Sequence, residues 1–281
     1  MDNLNNYFKG FTNIGNTCYL NSGLQLIINN KELCNIILQH YGENEIIDHC
    51  SNFIITYYNN QNYSSLIPNN IKDMVSKHNR EFIGNKQNDT FEFLISFFEI
   101  LCNLIKNNLY EINIQTIIKC KLKNCLNINI HNEKTNFLLL DINNDINSLD
   151  DSYRYFKSYE QLINENIYFC EKCNAQRIGS KKNTITIWPK HLIIVLKRFF
   201  HSGNSTKNNK EISIPIEWRH NYYLKGVVYH SGTTTGGHYI YIGEHNNKWI
   251  MFDDNNTNEI SLQQFEYYKN HGYIYYFYQI I

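Results

Sequence analysis

Proline is scarce, with 3 residues in 281, and net charge is absent, since 26 Lys+Arg balance 26 Asp+Glu. Without a Pro-rich or Gly/Ser-rich stretch, no linker divides the chain, and no repeat of solenoid period is visible. Zero net charge argues against general nucleic-acid binding, which needs a basic surface field. Long apolar runs are missing too. No segment reaches about 18 apolar residues, so no membrane span is expected. The best windows, Phe93 to Ile105 and Leu192 to Leu196, are short or broken by Glu99 and Asn103. The N-terminus, MDNLNNYFKGF, has no basic segment followed by an apolar one, so no secretory signal is expected. The 8 Cys are then expected to be reduced, which excludes a disulfide framework and leaves core thiols, metal ligands or a nucleophile.

What is present is 42% hydrophobic and 15% aromatic, enough to bury a sizeable core without staples. At about 150 residues per domain, the length allows one large domain or two small ones. The chain holds 45 Asn and 40 Ile. The Asn are spread beside plentiful Phe, Tyr and Ile, unlike a disordered tract. This bias fits the codon usage of an AT-rich genome, viral or protist, and says little about mechanism.

The first third reads helical. Apolar residues at Leu20, Leu24, Ile27, Ile28, Ile36 and Ile37 give a partial helical spacing over Tyr19 to Gln39. A stronger helix is expected from about Asn88 to Asn108, striped with Phe91, Leu94, Phe97, Phe98, Leu101, Leu104 and Ile105. Asp89 and Glu92 stand at its start with capping-box spacing. A third is expected from about Leu149 to Ile163, led by Ser148. The remainder reads as strand: Gln115–Lys119, Asn136–Ile142, Thr184–Trp188, Leu192–Phe199, Tyr222–His230, His238–Glu244, Lys248–Asp253 and Tyr273–Gln279. Asn246-Asn247 suits a tight hairpin with positive φ. Helices followed by mostly antiparallel strands indicate an α+β architecture.

Three constellations carry chemistry. In Asn13-Ile14-Gly15-Asn16-Thr17-Cys18, a cysteine meets the start of a helical pattern. The dipole there favours thiolate, and backbone N–H groups can hold an oxyanion. Local context leaves a nucleophile and a buried inert thiol both open. The second runs from His230-Ser231-Gly232 through Gly236-Gly237-His238 to Phe252-Asp253-Asp254. Counting across the hairpin brings His238 near Asp253, as a base and its orienting carboxylate require. The alternative is a surface histidine beside turn-forming aspartates. The third is the pair of knuckles Cys120-x4-Cys125 and Cys170-x2-Cys173, where four thiolates would close a structural zinc site and the alternative is buried thiols. Cys34, Cys50 and Cys102 lie in largely apolar settings and read as core or incidental.

Together the boxes resemble the ubiquitin-specific proteases, papain-like cysteine deubiquitinases. GFTNIGNTCYLNSGLQ resembles the family's Cys box, QNDTFEFL its acidic box, and YHSGTTTGGHYIYI with WIMFDD its His box. FLLLDI, CEKC, WPKHLIIVLKRFF and the terminal YIYYFYQ match further landmarks in order, so the likeness covers about residues 10 to 280. It implies a papain-like cysteine protease fold in one catalytic domain, residues 1–281. A helical thumb would occupy about 1–110, zinc-ribbon fingers about 111–185, and an antiparallel palm about 186–281. It implies Cys18 as nucleophile, His238 as general base, Asp253 as its orienter with Asp254 assisting, and Asn13 as oxyanion donor. Asp89 and Glu92 match positions that hold arginines of the ubiquitin tail. Cys120, Cys125, Cys170 and Cys173 match zinc ligands, with no cofactor needed for catalysis.

The partners implied are ubiquitin and ubiquitinated proteins, with no nucleic acid, no membrane and a monomeric state. The setting implied is intracellular, cytoplasmic or nuclear (in the host cell if the source is viral). A protease for a ubiquitin-like modifier, a non-catalytic ubiquitin-binding scaffold and a zinc-ribbon nucleic-acid binder are the rivals, the last in conflict with zero net charge. Departures from the family pattern are the five-residue step from Cys120 to Cys125, Asn88 in place of a second Gln, and short segments at Glu217–Tyr223 and Thr233–Thr235.

Overall fold

The computed structural model describes residues 8–59, 65–106, 109–200 and 206–280. Residues 1–7, part of the N-terminus read for a leader, and Asn108, the expected helix end, lie outside them. Seven α-helices are present among the described residues: α1 (Cys18–Ile28), α2 (Lys31–Gln39), α3 (Glu45–Asn59), α4 (Asn69–His78), α5 (Thr90–Leu104), α6 (Leu149–Lys157) and α7 (Leu262–Asn270). None of these helices is long and apolar enough to cross a membrane.

The apolar spacing over Tyr19 to Gln39 resolves into two helices. Asn30 is extended (φ −88°, ψ 90°) and its side chain accepts from the Leu33 N–H, capping α2. Asn29 donates to the Gln25 carbonyl at 2.7 Å, closing the end of α1. Asparagine side chains that compete for backbone groups break what the apolar pattern alone would continue. All eleven residues of α1 are buried. It lies between α5 and the strand Gly237–His245, the position of a central helix. In α5, Phe93, Leu94, Phe97, Phe98 and Leu101 face the same core. α6 ends at Lys157, short of Ile163, because Glu160–Leu162 leaves it to pair with Lys181–Gly179 as a strand. α7 answers no sequence expectation. It stacks Phe265 on Trp249, with centroids 3.7 Å apart.

The palm is one eight-stranded sheet. Its order is Asn256–Glu259, Lys248–Asp253, Gly237–His245, Tyr222–Gly232, Ile274–Gln279, His191–Leu196, Leu138–Leu140, with Glu217–Trp218 paired to the Tyr222 end. Every pairing is antiparallel except Leu138–Leu140, which runs parallel to His191–Leu196. That strand and α6 fall inside the range expected to form fingers, yet both build the core on the palm's far face. His191–Leu196 is buried on both faces. Ile193 and Val195 enter the core shared with the helices, while Leu192, Ile194 and Leu196 enter the opposite one. Its unbroken apolar run follows from that double burial.

The fingers are a second antiparallel sheet, ordered Ile128–Thr135, Ile112–Cys120, Gly179–Ile187, Glu160–Leu162. A small hairpin, Tyr168–Cys170 with Ala175–Arg177, stands beyond it. The palm hairpin turns at Asn246 (φ 50°) and Asn247 (φ 63°), the positive-φ pair expected there.

Candidate active site

Three chain segments meet at the end of the palm nearest α1. The first leads into α1. Gly15 (φ 106°) and Asn16 (φ 54°) turn the backbone left-handed, and α1 then begins at Cys18. Asn13 is locked across this turn. Its Oδ1 accepts from the Gly15 N–H (3.1 Å), the Thr17 N–H (3.1 Å) and the Thr17 hydroxyl (3.3 Å). Those three donors orient the amide, so its NH2 group points away, toward the second and third segments.

The second and third segments are strands Gly237–His245 and Lys248–Asp253. Their register pairs Tyr241 with Phe252 and Ile242 with Met251. Continuing that register puts His238 and Asp253 diagonally across the pair on one face of the sheet. His238 Nε2 meets Asp253 Oδ1 at 2.6 Å. The other ring nitrogen, Nδ1, is left for Cys18. A hydrogen bond to Cys18 raises His238 to about 9, against the effect of burial, and Asp253 adds to the rise. The imidazolium is therefore the stable form at neutral pH, beside a thiol at a helix start.

Asp254 follows Asp253, and its carboxylate lies within 4.8 Å of the ligand atoms of His238 and Asp253. Its backbone is left-handed (φ 49°). Its carboxylate accepts from Asn13 Nδ2 at 2.9 Å and from Asn21 Nδ2 at 2.7 Å, and its carbonyl accepts from the Phe11 N–H at 2.8 Å. Its two oxygens hold asparagines while the carboxylate stays beside His238 and Asp253, so beyond the expected assistance to His238 it has a second duty. A Cβ on Gly10 would lie 2.3 Å from the Asp254 carbonyl, so the approach of these segments needs glycine there.

Asp89 and Glu92 separate as well. Asp89 caps α5 through the N–H groups of Phe91 (2.6 Å) and Glu92 (3.3 Å), and it accepts the hydroxyls of Tyr239 (2.7 Å) and Tyr273 (3.2 Å). Burial pushes its carboxyl upward against those four donors. Its oxygens accept four donors from the protein, yet Asp89 is only half-buried and lines the groove beside Cys18, so the expectation that it meets a basic residue of the substrate stands. Glu92 is exposed and lines the groove, and keeps that expectation. The groove encloses about 380 Å³. One wall carries Cys18, Gln87 and Glu92, and the other carries Phe199, His230, Gly236, Gly237 and Tyr273.

Sequence reasoning did not assign roles to Gln87, Asn21, Tyr239 or Tyr273. All four stand inside the quoted boxes, Asn21 in the Cys box, Gln87 in the acidic box, Tyr239 in the His box and Tyr273 at the start of the terminal strand, but box membership alone gave none of them a role. His230 is the second histidine of its box and a different one in kind. Burial, together with nearby Lys207 and His238, lowers it to about 4, so it stays neutral.

The cysteine knuckles converge at the fingertip. Cys120 ends one strand and Cys125 follows a turn through left-handed Asn124 (φ 70°). Cys170 ends another strand, and Cys173 precedes left-handed Asn174 (φ 48°). The four Sγ atoms lie within 4.8 Å of one another, with Cys173 to Cys125 at 3.4 Å and Cys125 to Cys170 at 3.8 Å. Zinc bound to four sulfurs at about 2.3 Å needs sulfurs roughly 3.8 Å apart. The wider first knuckle is accommodated, and the four thiols fit a closed structural zinc site.

A family model described as "Ubiquitin carboxyl-terminal hydrolase" matches residues 9–278. "Probable ubiquitin carboxyl-terminal hydrolase 16" of Schizosaccharomyces pombe is 27% identical, covering 94% of this chain and 65% of that protein. Ubiquitin carboxyl-terminal hydrolase 16 of Arabidopsis thaliana is 28% identical over 87% of this chain, but only 28% of its own length is matched. Ubiquitin carboxyl-terminal hydrolase 4 of the same plant is 26% identical, with 95% of this chain and 92% of that protein covered. The chain thus spans less than two thirds of the first two relatives. In fold, it matches the SAGA DUB module of Ubp8, Sgf11, Sus1 and Sgf73 bound to monoubiquitin. The TM-score is 0.82 at 23% identity, over 98% of this chain and 69% of that one. The ubiquitin aldehyde complex of the same module gives a TM-score of 0.79 at 21% identity, over 100% and 71%.

Proposed function

The chain belongs to the ubiquitin carboxyl-terminal hydrolase family, and from that premise we propose that it is a thiol-dependent deubiquitinase. It hydrolyses the peptide or isopeptide bond after the C-terminal glycine of ubiquitin. The observation that carries the reading is His238, bonded to Asp253 through Nε2 and raised by its hydrogen bond with Cys18.

Cys18, as thiolate, attacks the glycyl carbonyl, and the carbonyl electrons move onto oxygen. Asn13 and the N–H groups at the start of α1 stabilise that oxyanion. The His238 imidazolium gives its proton to the departing lysine or α-amine, leaving a thioester on Cys18. His238, now neutral, takes a proton from water, the hydroxide adds to the thioester, and Cys18 departs as thiolate. Asp253 fixes the ring orientation and stabilises the imidazolium present before the amine leaves and again once water has given up its proton. Glu92 receives a basic residue of the tail, since a carboxylate accepts a guanidinium in two parallel bonds.

Ubiquitin as partner is supported by the ubiquitin-bound relatives of this fold. On this reading the thumb spans about 1–110, the fingers lie within about 111–185, where Leu138–Leu140 and Leu149–Lys157 join the palm instead, and the palm continues over about 186–281. Zinc held by Cys120, Cys125, Cys170 and Cys173 stiffens the fingers and takes no part in the chemistry. The protein works as a monomer inside the cell, in cytoplasm or nucleus, without nucleic acid or membrane.

Reaction with a ubiquitin suicide probe, followed by mapping of the modified residue, tests the proposal. Labelling at Cys18, with Cys18→Ala unreactive, is the expected result. Preferential labelling by a ubiquitin-like modifier would replace the substrate, and ubiquitin binding without labelling would replace the enzyme by a scaffold.

A further inference from the structure

Gln87 spans the groove. Its Oε1 accepts from the Gly237 N–H at 3.0 Å and its Nε2 donates to the Gly237 carbonyl at 3.4 Å. A single primary amide therefore engages both polar groups of one glycine, as a neighbouring strand would. The register explains why those groups are open. Thr233 N–H donates to the Gly236 carbonyl across the hairpin, so the next pair, Gly232 with Gly237, exchanges no hydrogen bond. Gly237 thus directs its N–H and C=O outward. On that outer side the neighbouring strand pairs only as far as Tyr241, leaving the edge beside Gly237 uncovered. Gln87 fills the place, from the opposite wall of the groove.

The bridge cannot yield toward the palm. A Cβ on Gly237 would stand 2.1 Å from the Ser231 carbonyl and 2.2 Å from His230 Nε2, so the strand is packed tightly behind it. A Cβ on Gly236 would stand 2.9 Å from Gln87 Oε1, so the bridge also lies close over its neighbour. Gln87 and Gly237 line the same groove as Cys18, and Gly237 directly precedes His238.

We propose that Gln87 is a specificity-determining residue: its amide bridge to Gly237 narrows the groove at the Cys18 end, so that only residues without side chains reach the thiol. The inference rests on the deubiquitinase reading and adds the residue that enforces glycine at the end of the tail. The bridge remains closed while the tail threads past it.

The test compares wild type with Gln87→Ala, Gln87→Asn and Gly236→Ala. The Asn variant keeps a surface amide but is one methylene too short, and Gly236→Ala pushes the bridge aside with Gln87 in place. kcat/KM is measured on ubiquitin amides ending in the natural diglycine and on versions with alanine as the penultimate residue. One methylene in a fitted pocket is worth about 10- to 200-fold in such a ratio. The expected result is that the glycine-over-alanine preference falls about tenfold or more in all three variants. In parallel, alkylation of Cys18 by iodoacetamide and by the bulkier N-phenylmaleimide is followed by mass spectrometry. The small-over-large preference falls in the same variants. This arm needs no ubiquitin, so a wild-type enzyme inert toward ubiquitin would overturn the deubiquitinase reading while the bridge is still read. Unchanged preference ratios in well-folded variants overturn the proposal, even if turnover drops. A rise in kcat/KM on the natural tail also overturns it, because Gln87 would then be a lid that the tail displaces.

Discussion

Replacing Asp254 separates two adjacent carboxylates by their duties. Asp254→Gly is the clean perturbation, because the backbone there is left-handed (φ 49°) and glycine adopts it without strain. The change removes the acceptors of Asn13 and Asn21 and leaves the His238–Asp253 bond of 2.6 Å untouched. Asn13 keeps its Oδ1 anchors but loses the partner that restrains its NH2 group. Removing one oxyanion donor costs about 2.7–4 kcal/mol, or 100- to 1000-fold in kcat. Asp254 acts through that donor, so its loss is bounded by the loss in Asn13→Ala, and about 10- to 100-fold is expected. In a double-mutant cycle on a ubiquitin C-terminal fluorogenic amide, Asn13→Ala with Asp254→Gly should cost no more than Asn13→Ala alone. The pH profile supplies the second readout. His238 is raised to about 9, so its imidazolium is present below that pH and lost above it, and activity falls through an alkaline limb near 9. Asp253→Asn removes one cause of the rise and moves the limb downward, toward the ordinary histidine range. Asp254→Gly should leave the limb in place. A limb that moves with Asp254→Gly, or additive losses in the cycle, would refute the division of labour.

The acidic pair at α5 divides in the same manner. Asp89→Ala removes a cap worth about 0.5–2 kcal/mol and strands two tyrosine hydroxyls, so melting should drop by several degrees. Glu92→Ala should leave melting unchanged and raise KM about tenfold with kcat preserved, the signature of lost uniform binding. Equal melting losses in both variants would contradict the assignment. At the fingertip, metal analysis should give about one zinc per chain, and Cys170→Ser should release it and lower the melting temperature. Well under one zinc per chain with the fold intact would reduce the four cysteines to packed thiols.

The chemistry was legible where it was local. A cysteine at a helix start, a tight Asn246-Asn247 hairpin and a count across it were enough to bring His238 to Asp253, because period-2 geometry propagates register over so few residues. The knuckles were legible as pairs, although only the pairing of Ile112–Cys120 with Gly179–Ile187 carries them to one point. What escaped depended on partners far along the chain. Capping-box spacing at Asp89 and Glu92 reads alike whether a carboxylate faces solvent or core. The two hydroxyls that bond Asp89 come from Tyr239 and Tyr273, 150 and 184 residues on. The break at Asn30 escaped because its amide capping overrides a continuing apolar pattern. α7 escaped because only Phe265 and Lys269 are buried in it, too few to mark a stripe.

Asp253 and Asp254 also show why the site lies where thumb meets palm. The nucleophile and Asn13 belong to the segment leading into α1, and the base and its carboxylate belong to the sheet. Alignment therefore needs a joint between them. Asp254 is that joint. Its carbonyl pairs with Phe11, its carboxylate holds Asn13 and Asn21, and glycine at position 10 lets the strands close. The left-handed turn at Asp254 lets two adjacent carboxylates, within 4.8 Å of one another, serve different partners, Asp253 bonding His238 and Asp254 holding the asparagines of the helix segment. This polar joint is half-buried and stands beside the core that helices and palm share, which includes Phe11, Tyr239 and Phe252. Whatever shifts thumb against palm shifts the oxyanion donor and the nucleophile together relative to the base, so the docking of the lobes and the alignment of the catalytic groups are one equilibrium.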